Sequence, residues 1–94
     1  MDQYPTRQDL DLVKKYGGTW ATGGPPINIP NLLDCLKNIW WHSEYLMAHE
    51  ENTLELHTGG WSGNEDIIET LKQTVFWDIY WLKSVRGGHH YFEW

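Results

Sequence analysis

The sequence predicts a small α+β protein. Three observations point there. Leu54 and Leu56 alternate with Glu55 and His57, the period-two pattern of a half-buried strand. A long stripe of apolar residues recurs at helical spacing after Ser62. Glycine pairs punctuate the chain at Gly17-Gly18, Gly59-Gly60 and Gly87-Gly88. Ninety-four residues suffice for one domain with one core. Residues 1–30 form an N-terminal helix and a Gly/Pro loop, and residues 31–94 the compact core.

Each element has its own signal. Thr6 to Tyr16 reads as a helix, with Thr6 as N-cap, Asp9 three residues on, and Gly17-Gly18 as the stop. Thr19 to Pro30 carries Gly23, Gly24, Pro25, Pro26 and Pro30, so it reads as a loop or extended arm. Asn31 to Trp40 is a second helix, because Leu32, Leu33, Leu36, Ile39 and Trp40 share a face. Ser43 to His49 and Thr53 to Thr58 read as the strands of a hairpin. Ser62 and Glu65 have the spacing of a capping box, which opens a helix over Glu65 to Lys83. Its stripe is Ile68, Leu71, Val75, Ile79 and Leu82. Arg86 and Gly87-Gly88 suit a helix C-terminus, and His89 to Trp94 reads as a returning strand. The order is α-α-β-β-α-β, with a small mixed three-stranded sheet.

This arrangement has a geometric consequence. A helix over Gly63 to Ser84 would be about 33 Å long. The glycine motifs at Gly59–Asn64 and Arg86–His89 would then lie at its opposite ends. Trp94 would return toward Trp61, and a shared site would need a second chain, as in a homodimer.

Composition narrows the function classes. A net charge of −6 argues against duplex DNA or an anionic membrane as the main partner. One cysteine, Cys35, excludes an internal disulfide, and its apolar surroundings read as a buried thiol. Met1 to Gly18 is polar and no apolar run approaches bilayer length, so a cytoplasmic location is expected. Seven tryptophans and five tyrosines exceed what so small a core needs, which suits stacking pockets and interfaces.

The candidate ligand-binding residues are Trp61, Ser62, Gly63, Asn64, Arg86, Gly87, Gly88, His89 and Trp94. The Gly59–Asn64 turn offers backbone amides at a helix N-terminus, a setting for anions. It is not a P-loop, since the lysine is absent and Glu65-Asp66 follow. Arg86 suits bidentate capture of phosphate or carboxylate. The bland alternatives are a tight β-to-α turn for the glycines and a surface charge for Arg86. His57, His89 and His90 come near one another if their strands pair, but His89 and His90 face opposite ways. No metal-ligand spacing is recognisable, no cofactor is expected, and no catalytic residue is assigned.

The segments TGGWSGNEDII (58–68), Phe76-Trp77, Trp81 and RGGHHYFE (86–93) resemble a family of small uncharacterised proteins of tailed bacteriophages and prophages. The resemblance covers the chain from Leu54 onward. It implies a phage accessory protein, acting against host defence in the bacterial cytoplasm. The leading expectation is a non-enzymatic protein binding a small, nucleotide-like or anionic ligand. The alternatives are a module that inhibits or recruits a host protein, and a small phosphodiesterase using His57 or His89.

Overall fold

The computed structural model describes residues 4–20 and 27–94. Residues 21–26, half of the predicted Thr19–Pro30 loop, lie outside them. The elements are α1 (Arg7–Gly17), α2 (Ile29–Ile39), α3 (Ser43–Leu46), β1 (Met47–Glu50), β2 (Thr53–His57), α4 (Ser62–Leu71), α5 (Val75–Tyr80), β3 (Trp81–Val85) and β4 (His89–Glu93). The α+β class stands. The sheet is not the mixed three-stranded one predicted but four-stranded and antiparallel, in the order β1-β2-β4-β3.

Local chemistry sets the first two helices. The Thr6 hydroxyl accepts from the Asp9 amide at 3.1 Å, and the Asp9 carboxylate accepts from the Thr6 amide at 2.9 Å. This capping box satisfies two donors that an uncapped helix would leave open. Helix α2 begins two residues before the predicted start. The Asn28 side chain caps it, accepting from the Asn31 amide at 3.1 Å. Pro30 therefore belongs to the first helical turn, where its missing N–H costs nothing.

The predicted strand over Ser43 to His49 is half helical. His42 adopts a left-handed backbone, φ 54°, and Ser43–Leu46 closes one helical turn. The Trp40 indole donates to the Leu46 carbonyl at 3.0 Å and holds that turn against α2. Only Met47–Glu50 remains extended, pairing with β2 from Met47↔Leu56 to Glu50↔Thr53.

The larger departure is the long helix, which breaks at Thr74. The Gln73 and Thr74 amides turn back to the carbonyls of Thr70 and Leu71, each at 3.0 Å, which tightens the last turn. The Thr74 hydroxyl donates to the Leu71 carbonyl at 2.7 Å and accepts from the Trp77 amide at 3.3 Å. One threonine thus ends α4 and caps α5. The Val75 amide donates to the Gly18 carbonyl at 3.0 Å, and a Cβ on Gly17 would lie 2.8 Å from the Thr74 side chain. Close packing of α1 against the break selects it.

After α5 the chain extends into β3 and turns through Arg86-Gly87-Gly88 into β4. Gly87 and Gly88 have φ of 97° and 84°, values that favour glycine, in a three-residue hairpin loop. The glycine pair is therefore a hairpin turn, not a helix stop. Strand β4 pairs with β2 from His57↔His89 to Thr53↔Glu93. Trp94 consequently ends near the β1–β2 turn, where its amide donates to the Asn52 carbonyl at 2.9 Å. Its ring lies 5.9 Å from Phe76 and 6.0 Å from His49, at the end of the sheet away from Trp61.

The helices cover one face of the sheet. Leu54, Leu56 and Phe92 point into that core with Val13, Leu32, Leu36, Ile67, Leu71 and Phe76, all essentially inaccessible to water. Each such side chain contributes about 1.5–3 kcal/mol through removal of apolar surface from water. The opposite face carries Glu55, His57, His89 and Tyr91 by alternation.

Two glycines test the turn geometry. Gly60, φ 74°, has open space where a Cβ would stand, whereas the Cβ of an alanine at Gly88 would collide with the Thr58 hydroxyl. Gly60→Ala is expected to cost about 1 kcal/mol, the backbone term alone. Gly88→Ala is expected to cost at least about 3 kcal/mol, with the clash added. Urea unfolding of both variants measures the difference, and equal losses would count against the close approach of Gly88 to Thr58.

Candidate functional site

The two glycine motifs meet within one chain. The Thr58 amide donates to the Gly88 carbonyl at 2.9 Å, next to the His57↔His89 pair. A Cβ on Gly88 would also approach the Glu65 carboxylate to 3.4 Å. The separation of about 30 Å expected from an unbroken helix does not occur, because the helix breaks at Thr74. Their meeting needs no second copy.

The first motif is occupied by internal bonds. Asn64 is fully buried. Its side-chain oxygen accepts from the Trp41 amide at 2.9 Å, and its nitrogen donates to the carbonyls of Trp41 and Thr58, both at 3.3 Å. Trp61 rather than Ser62 is the N-cap of α4, and no side chain caps it. The predicted Ser62–Glu65 box is absent because the helix starts one residue early. Ser62 instead hydrogen-bonds the Tyr4 hydroxyl at 2.8 Å.

Trp61 stacks on Trp41, with centroids 4.8 Å apart, and meets Tyr4 at 5.0 Å. Its indole nitrogen lies against Gly63, where a Cβ would stand 2.6 Å away. That N–H is buried without a hydrogen-bond partner among the described residues. The ring serves as a wedge between the N-terminal segment and the turn, not as an open stacking platform.

The second motif stays open. Arg86 and Gly87 are exposed at the hairpin tip, and no acid among the described residues pairs with Arg86. Behind the tip, His57 and His89 meet across the strands with their Nδ1 atoms 2.8 Å apart. The Glu55 carboxylate lies 3.3 Å from Nε2 of His57. Tyr91 sets its ring edge-on to His57 at 5.9 Å, and Lys83 lies over Tyr91 at 5.0 Å. The sequence marked His57 and His89 as able to approach. Glu55 was legible as the residue two before His57 on the same strand face, but Lys83 was hidden by its assignment to a helix.

His90 faces the other way. The Ser84 hydroxyl accepts from the Trp81 indole at 2.9 Å and hydrogen-bonds His90 Nδ1 at 2.7 Å. Burial, reinforced by the charge of Lys72, pushes the His90 pKa below its ordinary value, with Glu65 opposing. Burial, with Asp9 nearby, pushes the Cys35 thiol up, which makes it a poor nucleophile.

Elsewhere, an open groove of about 630 Å³ runs between α2, α3 and β1, past Leu33, Lys37, Ser43 and Met47. It contains none of the sequence-predicted residues. Among the described residues no helix is long and apolar enough to cross a membrane.

Comparison of the chain with protein-family models, curated proteins and solved structures found no match.

Replacing Asn64 by alanine leaves the backbone amide and carbonyl of Trp41 without the partner that binds both, whereas the Thr58 carbonyl keeps the Trp61 amide at 3.1 Å. The expected loss is about 2–4 kcal/mol, since each buried orphan costs about 1–3 kcal/mol. Denaturant unfolding followed by tryptophan fluorescence measures it. A loss under about 0.5 kcal/mol would mean the clamp is not structural.

Proposed function

We propose that the protein is a non-enzymatic interaction module that receives an extended strand of a partner polypeptide along the free edge of β3. One observation carries this reading. Ile79, Trp81, Leu82 and Val85 are 53%, 44%, 56% and 47% exposed, all within seven consecutive residues. They lie on or next to the strand at the sheet's open end.

An edge strand offers unpaired N–H and C=O groups, so it is a template for another strand. Proteins that avoid such pairing place charges, proline or bulges there. Strand β3 has one lysine and one register shift between Trp81 and Lys83, but otherwise leaves apolar side chains in water. Main-chain hydrogen bonds would supply affinity, and the aromatic and aliphatic side chains selectivity. Lys83 and the unpaired Arg86 favour a partner strand with carboxylates beside an apolar run. Within the accessory role that the resemblance implies, the partner is a host protein that the module blocks or recruits.

A second reading has its own support. Arg86, with Lys83 and the imidazole pair nearby, makes a cationic tip on an acidic protein. This tip suits a small anionic, nucleotide-like ligand. Trp61 to Asn64 would support such a site from beneath without touching the ligand.

The test uses the chain isolated from the cells in which it acts. A stoichiometric polypeptide partner is expected, weakened at least about tenfold, or ~1.4 kcal/mol, by Leu82→Asp and less than that by Arg86→Ala. A partner that withstands both Leu82→Asp and Trp81→Ala would refute the edge-strand reading. A dimer mass that Leu82→Asp reduces to a monomer would assign the edge to a second copy. A phosphate-bearing small molecule released on denaturation, and lost in Arg86→Ala alone, would favour the second reading.

A further inference from the structure

We infer that His57 and His89 form a binding site for a borderline divalent metal ion such as Zn²⁺ or Cu²⁺, held through the two Nδ1 atoms on the open face of the sheet.

The geometry comes from register. His57 and His89 are direct cross-strand partners, which fixes their Cβ atoms side by side. The two Nδ1 atoms face each other 2.8 Å apart, with the rings inclined at 63°. Zinc–imidazole bonds are about 2.0–2.1 Å long, so two of them at roughly 90–110° hold their nitrogens about 2.9–3.3 Å apart. A few tenths of an ångström of separation and a rotation of the rings that turns both lone pairs off the N···N line convert one arrangement into the other. The pair is pre-organised by two strands, so little side-chain freedom remains to be lost on binding.

The surroundings suit a ligated imidazole. A metal-bound histidine usually gives its second N–H to a carboxylate, which fixes the ring and strengthens the donor. Glu55 occupies that place beside His57 Nε2, at 3.3 Å. Imidazole nitrogen selects borderline ions over calcium or magnesium, and copper binds such donors most tightly.

Among the described residues no third histidine, cysteine or carboxylate completes a set of three. The site is therefore open, and its remaining positions fall to water or to a donor from a bound partner. Without metal, the same contact is an N–H···N hydrogen bond, in which one ring donates and the other accepts. Metal replaces that shared proton. This inference does not rest on the edge-strand reading, since Leu82 and Trp81 take no part in it.

Calorimetric titration of the chelator-treated full chain with Zn²⁺ and with Cu²⁺ tests the assignment. One ion per chain is expected, Cu²⁺ tighter than Zn²⁺, with affinity falling at least tenfold in His57→Gln and in His89→Gln. His90→Gln, His49→Gln and His42→Gln should bind as the wild type does. Proton NMR of the imidazoles provides a second readout that does not depend on the variants' stability: the His57 and His89 resonances should shift or broaden at the lowest metal concentrations. One ion per two chains, lost in the same two variants, also supports the assignment and adds a second copy to the site. Unchanged binding in His57→Gln and His89→Gln, or no binding by the wild type at millimolar Zn²⁺, would overturn it.

Discussion

Most of this structure depends on the pairing of β2 with β4, sealed where the Thr58 amide meets the Gly88 carbonyl. That contact draws the β3–β4 turn against the loop before α4. It is close enough that only glycine fits at position 88. Asn64 holds the other side of the loop by binding Trp41 and Thr58 together. A buried amide with every hydrogen-bonding group satisfied fixes its neighbours far better than an apolar side chain of the same size. The hairpin tip, the helix start and the Trp41 segment thereby form one rigid corner.

The corner exists only because the chain stops being helical at Thr74. The apolar stripe from Ile68 to Leu82 continues without interruption in sequence, so periodicity alone extends the helix through it. What stops it is non-local. The Gly18 carbonyl takes the Val75 amide, and Gly17 leaves room for the Thr74 side chain. Tertiary contact overrides propensity here. Gly87-Gly88 was equally ambiguous, because a left-handed glycine ends helices and turns hairpins alike. By contrast, the Thr6–Asp9 box and the alternation at Leu54–His57 were legible, since their partners lie within a few residues. The same contrast applies to the site. The sequence singled out both glycine motifs, but only the fold shows that one is bound up in internal contacts while the other leaves Arg86 and Gly87 exposed. Glu65 follows the pattern, fitting a capping box by spacing yet lying near Gly88.

The break also creates both proposed surfaces. A continuous helix would bury Ile79 and Leu82 on its stripe. Instead Leu82, with Trp81 and Val85, faces water on β3 at the edge of the sheet, and Ile79 is exposed at the end of α5. The same hairpin returns His89 to His57 and leaves Arg86 at the tip. Edge and His89 thus belong to one hairpin but point different ways, one along the sheet and the other out of its open face toward His57 on β2. A partner strand on the edge would pass beside the tip, near enough for its carboxylates to reach Arg86 or Lys83.

The central claim is that a single chain closes this hairpin on itself. Isotope-filtered NMR on a mixture of labelled and unlabelled chains tests it most directly. The account predicts cross-strand proton contacts for Trp81–Phe92, Val85–His89 and His57–His89 within the labelled chain. Helical sequential contacts should end by Tyr80. Helical contacts running unbroken from Val75 through Ser84, or His57–His89 contacts found only between chains, would contradict it.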